Sequence, residues 1–109
     1  MALAVPRTIR IGPHSYVVRR VTEAEMPEDN GDCNFDRLEI ALQRGLRRSK
    51  AREILLHEVL HGCTHPSLNQ ADRTFTDEDF VTAIAPALLQ TLRDNPKLVA
   101  FLVEPDKEK

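Results

Sequence analysis

The N-terminal half of the chain carries the alternation of apolar and polar positions that is typical of β-strands. Residues 8–11 alternate and residues 15–21 are rich in valine, so both segments predict strands. Gly12-Pro13 marks a turn between them, which makes the pair a predicted hairpin. Residues 23–32 combine a Met-Pro pair, an acidic pair and an Asn-Gly turn signal, and they predict a loop.

The most regular alternation in the chain lies at residues 37–43. Leu38, Ile40 and Leu42 share one side of this segment, while polar or small residues occupy the other side. The segment predicts a further strand, so we expect a small sheet of about three strands.

The spacing of apolar residues then becomes helical. We predict a first helix over about residues 50–62, with Ser49 as its N-cap. Gly62 is a natural C-terminal stop, and Pro66 opposes continuation of the helix beyond it.

A second helix is predicted after a polar connection. Thr76 and Asp79 have the spacing of a capping box, Pro86 predicts a kink or a break, and Asn95-Pro96 ends the helix. The apolar stripe of this helix consists of Phe80, Val81, Ile84, Ala85, Leu88, Leu89 and Leu92.

The remaining segments complete an α+β domain over residues 1–103. Residues 98–103 predict a short helix, and residues 104–109 predict a disordered charged tail. We expect the small sheet to pack on the first helix and on the helix pair that follows it.

Length and composition indicate one small globular domain. The chain has 109 residues, a formal net charge of −2 and 41% hydrophobic residues, so its overall charge does not favour nucleic acid. Apolar runs fall short of the roughly 18 residues of a membrane span, and the N-terminus lacks the pattern of a signal peptide. A cytoplasmic location is therefore the expectation.

Two histidines and a glutamate in the first predicted helix form the HExxH motif His57-Glu58-Val59-Leu60-His61. Residues four apart lie on the same side of a helix, so both imidazoles can bind one metal ion. Zinc suits such a pair, and a catalytic zinc ion keeps one position open for water. Glu58 lies about 100° round the helix from His57, where its carboxylate can take a proton from that water.

The alternative for this motif is a pair of core histidines that needs no metal. We favour metal binding because Leu55, Leu56, Val59 and Leu60 cover the other sides of the helix and predict that it is buried. Buried histidines and a buried glutamate need partners, and a metal ion provides one.

The two cysteines, Cys33 and Cys63, do not form a CxxC pair, and in the cytosol we expect two free thiols. Cys63 lies two residues after the second histidine of the motif. We favour a small buried core residue for Cys63 over a thiolate ligand of zinc.

A catalytic zinc site needs a third protein ligand. His65 would share the side of His57 and His61 only if the first helix continued past its glycine. On the second helix, position does not separate Asp77 from Glu78. The candidates left open are His65, Asp72, Asp77, Glu78, Asp79 and Cys63.

The chain resembles the phage- and prophage-encoded minimal zincin metallopeptidases and, more distantly, the ImmA/IrrE-type peptidases. Residues 55–62, 78–81 and 92–96 carry this resemblance. It implies a minimal zincin-like fold in which a helix after HExxH provides an acidic third zinc ligand, which is Glu78 in this chain. The chain departs from metzincins, because it lacks their extended HExxHxxGxxH motif.

The leading prediction is a zinc-dependent peptidase in which Glu58 acts as the base. If strand 37–43 lies at a sheet edge, it can pair with an extended peptide substrate. One alternative is a binding or phage-assembly module in which zinc only stabilises the fold.

A second alternative is a protease that docks on nucleic acid, because five basic residues lie together from the end of the last strand into the first turn of the first helix. A solvated loop and first helical turn explain these charges more simply, and we favour that explanation. The five residues are Arg44, Arg47, Arg48, Lys50 and Arg52.

Overall fold

A computed structural model of the chain describes residues 3–66, 74 and 76–105. The elements run in the order β1 (Thr8–Ile11), β2 (His14–Val21), β3 (Gly31–Asn34), β4 (Glu39–Gln43), α1 (Arg48–Thr64), α2 (Asp77–Asp94) and α3 (Pro96–Val103). In this part of the chain the strands form one mixed sheet in the order β1-β2-β4-β3. The predicted α+β class is confirmed, with four strands instead of about three.

The predicted hairpin is confirmed as β1 and β2. The two strands pair antiparallel, with Ile11 opposite His14. Gly12 adopts a positive φ of 59° at the turn, a conformation that costs glycine little because it has no Cβ. Strand β2 then pairs in parallel with β4, which places β4 in the interior of the sheet.

Strand β3 was missed by the sequence analysis. Its residues fall partly in the predicted loop, and they include none of the β-branched or aromatic residues that favour strands. Antiparallel pairing with β4 nevertheless makes this segment the edge of the sheet. Segment 37–43 does not meet the condition for pairing with a peptide, a position at the sheet edge, because β3 covers it.

Strand β4 begins later than predicted and is buried on both sides. Leu38 has a φ of 57°, so regular strand geometry starts at Glu39. Ile40 lies in the hydrophobic core, whereas Ala41 and Gln43 point to the opposite side and are also buried. The loop after β2 covers that side, because the Gln43 amide donates hydrogen bonds to the carbonyls of residues 26 and 29.

Helix α1 extends beyond both predicted ends. Arg47 is its N-cap and makes no side-chain capping hydrogen bond, so the prediction of Ser49 as the cap was wrong. Gly62 does not end the helix, which continues to Thr64. A Cβ on Gly62 would lie 2.8 Å from Cδ1 of Ile11, so the glycine permits close packing of α1 on β1.

Helices α2 and α3 follow the sequence prediction closely. The capping box of Thr76 and Asp79 is present, and Asn95 ends α2 before Pro96 opens α3. Pro86 lies inside one continuous helix, so the predicted break does not occur. The Asn95 side chain accepts a hydrogen bond from the backbone N–H of Arg10 and donates one to its carbonyl, at 2.8 and 2.7 Å, which joins this corner to β1.

The core lies between one face of the sheet and the helices. Its largest fully buried side chains come from β1, β4, α1 and α3, among them Ile9, Ile40, Leu55, Leu98 and Phe101. This packing fixes α1 against the sheet.

Glu104, which the sequence assigned to the charged tail, is held beside the start of α1. It accepts hydrogen bonds from the guanidinium groups of Arg48 and Arg52 and from the backbone N–H of Leu3. Residues 106–109 of the predicted tail lie outside the described residues.

Candidate metal centre

The two histidines of the motif lie together on one side of α1. The Nε2 atoms of His57 and His61 are 3.1 Å apart, and the rings meet edge to face. Two imidazole nitrogens bound to one tetrahedral zinc ion at 2.0–2.1 Å would be about 3.3 Å apart. The two histidines therefore have the separation that one shared ion requires, without rearrangement of the helix.

Helix α1 is buried on one side only, so the expectation of a helix buried nearly all round was wrong. The sheet and the later helices pack against the side that carries Leu55, Val59 and Cys63. His57 is exposed and His61 is half-buried. The histidines are thus accessible from solvent, as a site that receives an ion and a substrate must be.

Glu58 lies beside the two histidines but is buried. Its residue exposure is 6%, and one carboxylate oxygen and one nitrogen from each histidine lie within 4.8 Å of one another. Burial raises the pKa of the Glu58 carboxyl, opposed by nearby His57 and reinforced by Asp32 and Asp29. This arrangement agrees with the predicted roles, in which His57 and His61 bind the ion and Glu58 accepts a proton.

The pKa of His61 is lowered, chiefly by burial and then by the neighbouring His57. This shift favours the neutral imidazole, which is the form that binds a metal ion.

Strand β3 comes unusually close to α1 beside the motif. A Cβ on Gly31 would lie 2.6 Å from Cγ2 of Ile54 and 3.1 Å from Oε2 of Glu58. Glycine at this position therefore lets the edge strand approach the glutamate. Sequence analysis missed this role, because an Asn-Gly pair signals a turn and carries no information about what packs on it.

Both cysteines are free thiols, as predicted. Cys63 is 2% exposed and belongs to the core, where its sulfur lies 3.5 Å from Oγ1 of Thr91, which confirms it as a core residue. Burial, with contributions from Glu58 and Asp32, raises the pKa of Cys33 to about 12. Burial therefore favours the protonated thiol of Cys33.

Among the described residues, only His57, Glu58 and His61 form a cluster of three potential ligands. Glu78 is exposed on the first turn of α2 and accepts a hydrogen bond from Thr82. The carboxylate of Asp79 is engaged in the capping box. Asp77 is exposed, and Asp72 lies outside the described residues. The third ligand is therefore still a prediction.

His65 lies on the side of α1 that carries His57 and His61, because the helix continues through Gly62. Its ring is stacked on that of Phe35, with the ring centres 3.7 Å apart and the planes within 5°. Thirty residues separate Phe35 from His65 in the sequence, so no local pattern could have predicted this contact.

Part of the basic segment serves the fold. Arg48 and Arg52 form ion pairs with Glu104 at 2.7 and 3.1 Å and lie over the ring of Phe101. Lys50 pairs with Glu53 at 3.4 Å. These contacts give the charges a structural role, and a nucleic-acid partner stays an untested alternative.

Comparison of the chain with protein-family models, with characterised proteins and with solved structures found no match. The resemblance to minimal zincins therefore depends on the sequence motif. Within the described residues, none of the helices has the length and apolar character that crossing a bilayer requires.

Proposed function

We propose that this chain is a zinc-dependent peptidase with the arrangement of a minimal zincin. The observation that carries the proposal is the 3.1 Å separation of the His57 and His61 Nε2 atoms, with the Glu58 carboxylate beside them. A pair of core histidines would explain the short distance as a hydrogen bond. It would not explain why the pair lies at an accessible surface next to a buried carboxylate.

His57 and His61 would hold the ion, with Glu78 as the third ligand. When bound, zinc supplies a Lewis acid that lowers the pKa of water and polarises a carbonyl group. Glu58 takes the proton of the attacking water at a carboxylate oxygen and returns it to the leaving amine. Gly31 of β3 lies close beside the Glu58 carboxylate.

The edge of the sheet favours an extended peptide as the substrate. Strand β3 lies at the edge next to Glu58. It is therefore β3, and not segment 37–43, that can pair with a peptide substrate. An extended peptide can add to such an edge through backbone hydrogen bonds. The scissile amide would then pass over the histidines.

Replacement of Glu58 tests this function. We expect zinc-loaded Glu58→Gln to keep its metal and to lose cleavage of a peptide library by at least about 10²-fold, because only the proton acceptor is removed. Glu53→Gln is the matched control, since Glu53 lies on the same helix at an exposed position. Cleavage by Glu58→Gln at the wild-type rate would refute the mechanism.

A further inference from the structure

Strand β3 and helix α1 contact each other on both sides of the candidate metal centre. At one end, Gly31 approaches Ile54 and Glu58. At the other end, Phe35 follows directly after β3 and stacks on His65. Along the chain, Ile54 of the first contact and His65 of the second flank the two histidines of the motif, while Glu58 takes part in the first contact.

The spacing of these contacts shows that the strand and the helix run in the same direction. Strand β3, from Gly31 to Asn34, is about 10 Å long, and Phe35 is the next residue. Glu58 to His65 is seven residues, about 10 Å of helix. The second contact lies further toward the C-terminal end than the first, both along the strand and along the helix. The strand edge and the row of histidines therefore stay side by side over this length.

Alternation along β3 shows which side of the strand faces the helix. Gly31 and Cys33 lie on that side, since Gly31 approaches α1 and Cys33 packs against the core. Asp32 between them is exposed. Phe35 is the first residue of the turn after β3, so its stack on His65, and not the alternation, places its ring. Phe35 is half-buried there and His65 is exposed.

We propose that Phe35 and His65 form a specificity subsite that selects an aromatic side chain of the peptide substrate, about two residues before the cleaved bond. This inference rests on the proposed peptidase function. From His61 to His65 the helix rises about 6 Å, which corresponds to about two residues of an extended peptide.

The direction of the substrate follows from the geometry of the edge. A peptide that pairs antiparallel with β3 runs opposite to it, so its N-terminal part lies at the Phe35 end. Stacked rings present a flat apolar face, on which an aromatic side chain packs in an offset or edge-to-face arrangement. The stacked rings lie at the Phe35 end, so aromatic selectivity is expected on the N-terminal side of the cleaved bond.

The test compares peptide pairs that differ only in phenylalanine or alanine two residues before the cleaved bond. We expect zinc-loaded wild-type protein to show about fivefold higher kcat/KM for the phenylalanine peptide. His65→Ala and Phe35→Leu should reduce this ratio to about one, whereas His65→Phe should keep it because a ring is retained. His14→Ala, which changes an exposed histidine on β2, should leave the ratio unchanged.

The outcomes separate this inference from the proposed function. Cleavage with an aromatic preference that needs both rings supports the subsite. Cleavage without that preference, or with a preference that survives His65→Ala and Phe35→Leu, overturns the subsite and leaves the peptidase proposal intact. A zinc-loaded wild type that cleaves no peptide of the library overturns both.

Discussion

The absence of a side chain at residue 31 decides how closely β3 approaches α1. The position allows no Cβ without contact with Cγ2 of Ile54, at 2.6 Å, and with the Glu58 carboxylate. A methyl group there would move the strand, the helix or both. Because Glu58 lies in that contact, packing and chemistry are coupled at a single position.

We predict that Gly31→Ala destabilises the fold by about 1–3 kcal/mol, the usual cost of forcing an extra group into a packed interior. Urea unfolding measures this change. In the double variant with Ile54→Ala, the closest contact is removed, while those with Oε2 of Glu58 at 3.1 Å and with the Ala41 carbonyl oxygen at 3.2 Å remain. The two effects should therefore be less than additive. Additive losses would show that Gly31 is not constrained by Ile54.

Gly62→Ala is the matched control for that substitution. The nearest atoms to its new Cβ belong to the Ile11 side chain, with the terminal methyl closest at 2.8 Å. Alanine also favours a helix interior over glycine by about 1 kcal/mol. The loss of stability should therefore be smaller than for Gly31→Ala. An equal or larger loss would contradict this account of the two glycines.

Sequence reasoning at the residue scale succeeded where the chemistry is local. The HExxH spacing alone brings His57 and His61 to one side of a helix, and the structure agrees. It failed for Gly31 and for the contact of Phe35 with His65, because those roles depend on partners that are distant in the sequence.

At the scale of elements, helix α2 depends on a local signal at its start. The backbone N–H of Asp79 donates to Oγ1 of Thr76 at 3.2 Å, and the N–H of Thr76 donates to the Asp79 carboxylate at 2.8 Å. Both groups would otherwise lack an intrahelical partner.

We predict that Thr76→Ala lowers the free energy of unfolding by about 1 kcal/mol, because it removes the N-cap oxygen. Thermal or urea unfolding checks the change. Thr82→Ala is the control, since Thr82 lies at an exposed position inside the same helix and should cost less. Equal losses in the two variants would argue against a capping role.

The elements that were predicted correctly have start or stop signals in their own sequence. The Gly12-Pro13 turn, the Thr76 capping box and the Asn95-Pro96 boundary all lie where predicted. Strand β3 was missed because pairing with β4, and not its own residues, makes it a strand. Gly62 was misjudged as a stop because its small size is used for packing on Ile11.

At the scale of the whole molecule, Glu104 connects both ends of the chain to the start of α1. Hydrogen bonds from Arg48, from the N–H of Leu3 and from Arg52 lower the pKa of Glu104 from its ordinary value of 4.5 to about 2. The ionised carboxylate therefore stabilises the folded state, and this contribution is complete above the ordinary pKa.

We predict that the wild-type protein loses this contribution as the pH falls from about 4.5 to about 2, because the unfolded chain binds the proton first. Glu104→Gln should be less stable than the wild type at pH 7, and the difference should shrink at low pH. Urea unfolding across the pH range measures both, with Glu53→Gln as the control. A difference that stays constant with pH would contradict the assignment.

The central claim is that His57 and His61 bind one zinc ion in an otherwise complete fold. The most direct test is the zinc content of the wild type and of His57→Ala, Glu78→Ala and His65→Ala, each after dialysis against a weak chelator. We predict one zinc ion per chain in the wild type and in His65→Ala, and loss of zinc in the other two.

Zinc kept by Glu78→Ala at nanomolar affinity would refute Glu78 as the third ligand while leaving the histidine pair in place. A folded wild-type protein without zinc would contradict the claim itself. The 3.1 Å contact of the two histidines would then be a hydrogen bond between uncoordinated side chains, and the peptidase proposal would be withdrawn.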